Sequence, residues 1–269
     1  TDESRKAREE NSRLNEEENK RRSAVKRKRR DRWRTVGVLA AVLAVAAVAV
    51  FWGLPALRYQ KAVQLMESGQ YEKASEAFAA MGTFRDAGEQ ATAARFQQAE
   101  ALAKKGDLDS LEAALAIYQE LGEYGECPQR VQETNYAIGE AYFADGQYDQ
   151  AADRFQTLGE YEDSADRFKQ CIYTQAEDLY QNGQYSLAQA LFANVADYSD
   201  AADRVRGCQY AMAKESEEAG DDAQAAQLYL QAGSYEDAAQ RYVECLYRSA
   251  AAEMESGNME RAGSLFLSC

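Results

Sequence analysis

Cys171, Cys208 and Cys245 stand 37 residues apart. A ladder of thiols at a regular step suggests two chemistries, a chain of disulfides or a row of metal ligands. Neither suits the geometry of a helical repeat. Equivalent points on neighbouring packed helices lie about 8–10 Å apart, beyond the roughly 7 Å between Cα atoms that a disulfide spans. The same register holds Ala94 and Thr134 in two earlier copies, so the position asks for a small side chain. Buried, unreactive thiols are expected there. With Cys127 and Cys269 the cysteines number five, an odd set with no C-x-x-C pair, so neither a zinc ribbon nor a redox motif is visible.

Carboxylates are the other abundant reactive group, 45 in all, and the stretch "GDLDSLE" gathers Asp107, Asp109 and Glu112. It lacks the glycine and the ligand spacing of a calcium loop, and a helix N-cap accounts for it better. The chain has no histidine, which removes the usual hydrolase triads and most zinc sites. There is no G-x-x-x-x-G-K-[ST] phosphate loop and no G-x-G-x-x-G after a strand. No catalytic, cofactor-binding or metal-ligating residue is therefore assigned, no cofactor is expected, and the protein is expected not to be an enzyme.

The cysteines point instead to the elements that carry them. Gly69, Gly106, Gly146, Gly183, Gly220 and Gly257 recur at steps of 37, 40, 37, 37 and 37. Each is followed by an alanine (Ala74, Ala114, Ala151, Ala188, Ala225, Ala262) and, four places on, by a large residue (Phe78, Tyr118, Phe155, Phe192, Tyr229, Phe266). Residues at i and i+4 share a helix face. A turn follows in five copies ("GTFRDA", "GEYGEC", "GEYEDS", "ADYSDA", "GSYEDA"). The acid in it precedes another polar residue by three, as in Asp163 and Asp166, Asp200 and Asp203, or Asp237 and Gln240. That is the pattern of a capping box, so these acids are expected to cap the next helix. From there Ala165, Phe168, Ile172, Ala176 and Leu179 form a helical stripe that runs to Gly183, where a glycine suits a left-handed helix end.

Each unit is thus a short helix and a long one. A lone hairpin cannot bury its apolar face, so consecutive hairpins must stack. The expected fold is all-α, a right-handed helical-hairpin solenoid of period 37 with six repeats over residues 58–269, the last incomplete. Because that sixth unit stops before its turn, the native protein is expected to continue with at least that turn and one more helix. Most of the 17 tyrosines fall at repeating positions, among them Tyr148, Tyr161, Tyr173, Tyr185, Tyr198 and Tyr210, so hairpin packing is expected to outweigh ligand binding among them.

Within "YAIGEAYFADGQYDQAADRFQTLG", Gly139, Tyr142, Gly146, Tyr148, Ala151 and Phe155 fall at the spacing of the tetratricopeptide signature. The region from Tyr59 to Cys269 resembles that family and is similar to repeat arrays tethered to bacterial membranes. It departs from the pattern in its longer period and in a "GxYxDA" turn where an ordinary repeat closes on proline. The resemblance implies a protein or peptide partner on the concave face of the array.

Ahead of the repeats, "TVGVLAAVLAVAAVAVFWGLPAL" (residues 35–57) has no charge, and about 20 apolar residues suffice to cross a bilayer. A signal peptide has a shorter apolar core and a short leader, whereas 34 residues precede this one. An uncleaved transmembrane helix is expected. "KRRSAVKRKRRDRWR" places ten basic residues against one acid directly before it. The positive-inside rule then keeps residues 1–34 in the cytoplasm, near anionic lipid, and exports the repeats. Adjacency to a span accounts for this basic run, so no nucleic acid partner is expected.

Residues 1–34 carry 14 Lys/Arg and 8 Asp/Glu, leaving a net charge of −20 for the remainder out of the total of −14. That surplus either steers basic partners or solvates the array. Taken together, these features describe a scaffold in the plasma membrane of a bacterial cell envelope that docks proteins outside the cytoplasm. The alternative is a stalk or docking module of a larger enzyme or sensor whose catalytic domain lies outside residues 1–269.

Overall fold

The computed structural model describes residues 2–268, with side chains at residue 10 and residues 13–268. Every regular element among them is helical. The chain divides into two compact units, the boundary falling between Arg95 and Phe96.

The first unit opens with α1 (Asp2–Val48), continues through a π-helical turn (Ala49–Gly53) into α2 (Leu54–Glu67) and adds α3 (Tyr71–Ala79). The early part of α4 (Ala87–Ala103) completes it. Its core is small, with Ala62, Ala74, Ala87 and Ala94 packed around Phe78. Within the helical run Arg13–Glu67, an apolar window of mean hydropathy 2.5 has none of its residues buried. Phe51 and Trp52 stand more than two-thirds exposed at its end.

The second unit alternates short and long helices: α5 (Leu108–Leu121), α6 (Cys127–Ala144), α7 (Tyr148–Leu158), α8 (Ser164–Gln181), α9 (Tyr185–Asn194), α10 (Ala201–Glu218), α11 (Asp222–Ala232), α12 (Ala238–Glu255) and α13 (Met259–Phe266). From α5 to α13 every consecutive pair of helices packs together. The hairpin reading therefore holds at the level of elements.

Three chain reversals per repeat depend on left-handed backbone. The recurring glycines before the short helices sit at φ 74–86°, which closes each long helix. After most short helices a second glycine does the same, at φ 58–64° in Gly122, Gly159 and Gly233. In the fourth copy Ala196 stands at that place, and α9 ends on Val195 at φ −126° instead. The residue before each turn acid is also left-handed: it is a glycine in the second copy, Gly125 at φ 54°, while Arg85, Glu162, Ser199 and Glu236 adopt φ 47–51° in the others. This conformation costs an L-residue roughly 1–2 kcal/mol, and the side chains on either side hold it in place, as described below.

The helices approach closely because small residues line them. Ala99, Gly139, Ala176, Ala213 and Ala250 on the long helices and Ala114, Ala151, Ala188, Ala225 and Ala262 on the short ones are all buried, and Ala99 with Ala114, Ala176 with Ala188 and Ala213 with Ala225 share a core cluster. At Gly139 an added Cβ would lie 2.9 Å from the Phe155 ring. The expected stripe on α8 needs one correction. Ala165 is exposed, and its neighbour Ser164 is the buried residue at that turn, so the packed face begins one residue earlier.

Candidate interaction surface and the polar ladder beneath it

The acids expected to cap the long helices do something else. Asp163, Asp200 and Asp237 occupy the N-cap positions of α8, α10 and α12, yet none of their side chains bonds to a backbone N–H of its helix. Each accepts a hydrogen bond from a tyrosine on the preceding long helix. Tyr136 donates to Asp163 at 2.5 Å, Tyr173 to Asp200 at 2.5 Å, and Tyr210 to Asp237. Tyr59 and Asp86 form the same pair in the first unit at 2.7 Å. The reason lies in the backbone: at φ −95° to −103° and ψ near 20° these residues lack the extended conformation typical of a capping side chain. True caps occur on short helices, where Asp107 accepts from the Ser110 N–H at 2.9 Å and Asp221 from the Gln224 N–H at 3.0 Å.

Each of these tyrosines is also the hub of an aromatic triad. Tyr173 meets Phe192 and Tyr198 edge-on at 5.3 and 5.7 Å between centroids, and Tyr136 meets Phe155 and Tyr161 at 5.4 and 6.2 Å. Tyr210 contacts Tyr229 and Tyr235, and Tyr59 contacts Phe78 and Phe84. The turn that carries Tyr161, Tyr198 or Tyr235 is thereby pinned on both sides of its left-handed residue. In the second copy Phe96 replaces the hub tyrosine and Glu126 replaces the aspartate. A hydroxyl reappears there on Tyr118, which donates to Glu100 at 2.5 Å.

A second ladder runs alongside. Arg130 pairs with Glu100 at 3.0 Å, Arg167 with Glu140, Arg204 with Glu177, and Arg241 with Glu217 at 3.1 Å. Each arginine reaches back to the preceding long helix. Arg167 also lies over the rings of Phe143 and Phe155, and Arg204 over Tyr180 and Phe192. Such stacking on a partly buried ring adds roughly 1 kcal/mol or more. In the fourth of these pairs Lys214 takes the place that Glu177 holds one repeat earlier, and Arg241 shifts to Glu217, one turn further along the same face.

The titration properties follow from these contacts. The hydrogen bond to Asp163, with burial adding to it, pushes the Tyr136 hydroxyl up to about 12. Acceptance from Tyr59 and Tyr210 holds Asp86 and Asp237 below the usual carboxylate range. Burial pushes the thiols of Cys171, Cys208 and Cys245 up to about 11, and each is a free, buried cysteine. Thiols this protonated are poor nucleophiles. Among the described residues no group of His, Cys, Asp or Glu is arranged to hold a metal ion.

What faces solvent is therefore mostly acid. From Phe96 onward the sequence has 12 Lys/Arg against 32 Asp/Glu, and nine of those twelve cations are engaged in ion pairs. Between α10 and α11 lies a shallow groove of about 400 Å³ lined by Met212, Glu215, Ser216, Ala219, Asp221, Gln224 and Leu228. Glu215 is exposed and makes no ion pair among the described residues.

No known protein-family model matches this sequence, and no curated protein matches it. A structural comparison pairs the chain with the crystal structure of the apo form of RapI at 14% identity. That alignment covers 80% of this chain and 75% of the other with a TM-score of 0.23, too loose a superposition to bear on fold or function.

Proposed function

We propose that this protein is a membrane-anchored interaction scaffold whose tetratricopeptide-like array, winding as a right-handed solenoid outside the cytoplasm, docks a cationic peptide or protein on its concave face. It works by binding and not by catalysis. The observation that carries this reading is the allocation of charge in the second unit. Its arginines are drawn inward to tie hairpin to hairpin, leaving a solvent face dominated by carboxylates. Such a surface raises the local concentration of a cationic partner and speeds its encounter.

The anchor is supported by the apolar window, no residue of which is buried, since a helix in a soluble core would be clothed by other elements. The orientation is supported by the basic run directly before it, and that run also suits the anionic leaflet of a bacterial plasma membrane.

The full chain in nanodiscs of neutral lipid provides the test. A lysine- and leucine-rich amphipathic peptide should bind saturably, with affinity falling as salt rises. A glutamate-rich peptide of equal apolarity should not. Equal binding of the two, or binding indifferent to salt, would refute an electrostatic docking face.

A further inference from the structure

The groove of about 400 Å³ between α10 and α11 is produced by one small side chain. Ser216 lines it, with its hydroxyl turned back onto the Met212 carbonyl at 3.1 Å. In the same register the neighbouring hairpins carry a large residue. Tyr142 donates to Glu112 at 2.9 Å, Leu179 packs against the α8–α9 core, and Glu253 pairs with Arg261 at 3.1 Å. Ser216 leaves open the space that those side chains take up. Both α12 and α13 follow in the chain without covering the gap, so it belongs to the interior of the array.

Its charge is one-sided. Glu215 stands exposed beside the gap, where the neighbouring hairpins have Ala141, Asp178 and Ala252, and Asp221 adds a second carboxylate. In α12–α13 the acid of the groove is answered from within by Arg261, whose counterpart here is Gln224. The α10–α11 groove thus holds the acid of an Arg–Glu pair and lacks the arginine. It also lies at the last turns of α10, where the helix dipole favours a cation, while Asp221 already caps the opposite pole at the start of α11. Met212 and Leu228, both half-buried, supply an apolar wall.

We propose that this groove is a subsite for one arginine side chain of another protein. The methylene stem lies along Met212 and Leu228, and the guanidinium pairs with Glu215. Arginine suits the site better than lysine because its head group is more weakly hydrated and loses less on partial burial. The array's own closure of the equivalent space in α12–α13 uses the same residue type. This inference rests on the scaffold reading and deepens it, by naming the place on the acidic surface where a cationic partner is anchored and the side chain that anchors it.

The test is methionine-methyl NMR on the full chain in nanodiscs of neutral lipid, since Met212 is one of five methionines and lines the groove. The probe is acetyl-Leu-Arg-Leu-amide, with its citrulline analogue as a neutral isostere. The arginine peptide should shift the Met212 signal saturably and bind about ten-fold or more tightly than the citrulline peptide, the scale of one charge-assisted hydrogen bond. Glu215→Gln should remove most of that difference, and because Glu215 is exposed the variant should keep its helical circular dichroism. Ser216→Leu, which copies Leu179 of the preceding repeat, should fill the groove and abolish the Met212 response. The proposal is overturned by equal binding of the two peptides, by affinity indifferent to Glu215→Gln, or by undiminished binding to the Ser216→Leu variant. Self-association of the unliganded chain that Ser216→Leu abolishes would also overturn it, by showing that a second copy fills the groove. A Met212 signal that stays fixed, in a chain that still binds the lysine- and leucine-rich peptide in a salt-dependent way, overturns this site and leaves the acidic docking face standing; loss of both responses removes both.

Discussion

Replacing Tyr173 by Phe removes one hydroxyl and keeps both ring contacts, so it isolates the bond to Asp200. A hydrogen bond to an ionised acceptor contributes about 1.5–3 kcal/mol when its loss strands a buried partner. Asp200 is exposed, so water takes the place of the hydroxyl and the expected cost falls to about 1 kcal/mol. Asp200→Ala should cost about the same for the same reason, and the double variant should cost no more than either single change. A capping aspartate would behave differently, because its loss would cost about 1 kcal/mol whether or not Tyr173 keeps its hydroxyl. Repeat arrays open piecewise, so the assay is native-state hydrogen exchange on peptides spanning residues 164–181 and 201–218 of the full chain in detergent. Full additivity of the two changes, or a Tyr173→Phe variant with unaltered protection, would refute the clip.

Changing Cys171, Cys208 and Cys245 together to Ala should preserve helical content and lower stability by at most a few kcal/mol, checked by circular dichroism and urea titration; mass spectrometry should find no disulfide between any two of them. Gly139→Ala should destabilise by about 1–3 kcal/mol, because its Cβ would press on the Phe155 ring, and hydrogen exchange should show the loss first in residues 127–158. Since the folded Tyr136 hydroxyl titrates at about 12 against an ordinary 10.0, its contribution is complete below pH 10 and is lost as pH rises through about 12. Alkaline unfolding of the Tyr136→Phe variant should therefore lack that part of the pH dependence. Asp86 and Asp237 run the other way: their contribution is present above the ordinary carboxylate range and declines as pH falls below it.

The helices, their alternating lengths and the glycine turns were legible in the sequence because each follows from local rules: spacing of Ala151 and Phe155 on one face, and left-handed glycine at Gly146 and Gly183. The role of the turn acids was misjudged because a capping box and a Tyr–Asp clip share the same Asp163-to-Asp166 spacing. The local pattern cannot show a tyrosine 27 residues away. A signal was nevertheless present, since Phe96 and Glu126 depart together from the tyrosine and aspartate of the other copies. The burial of Ser164 in place of Ala165 is masked in the apolar stripe because serine is polar, although the register holds Cys127, Ala201 and Ala238 elsewhere. The Arg–Glu ladder was hidden among many exposed charges, and it emerges only when successive long helices are laid side by side.

The claim that the acidic array is presented across a membrane by a single anchor is tested most directly by topology in intact bacterial cells, with alkaline phosphatase fused after Glu67. The account gives an active phosphatase, exported with the repeats, and export that fails when the basic residues between Lys20 and Arg34 are neutralised and a basic cluster is placed after Leu57. An inactive phosphatase, together with an active cytoplasmic reporter at the same junction, would contradict it.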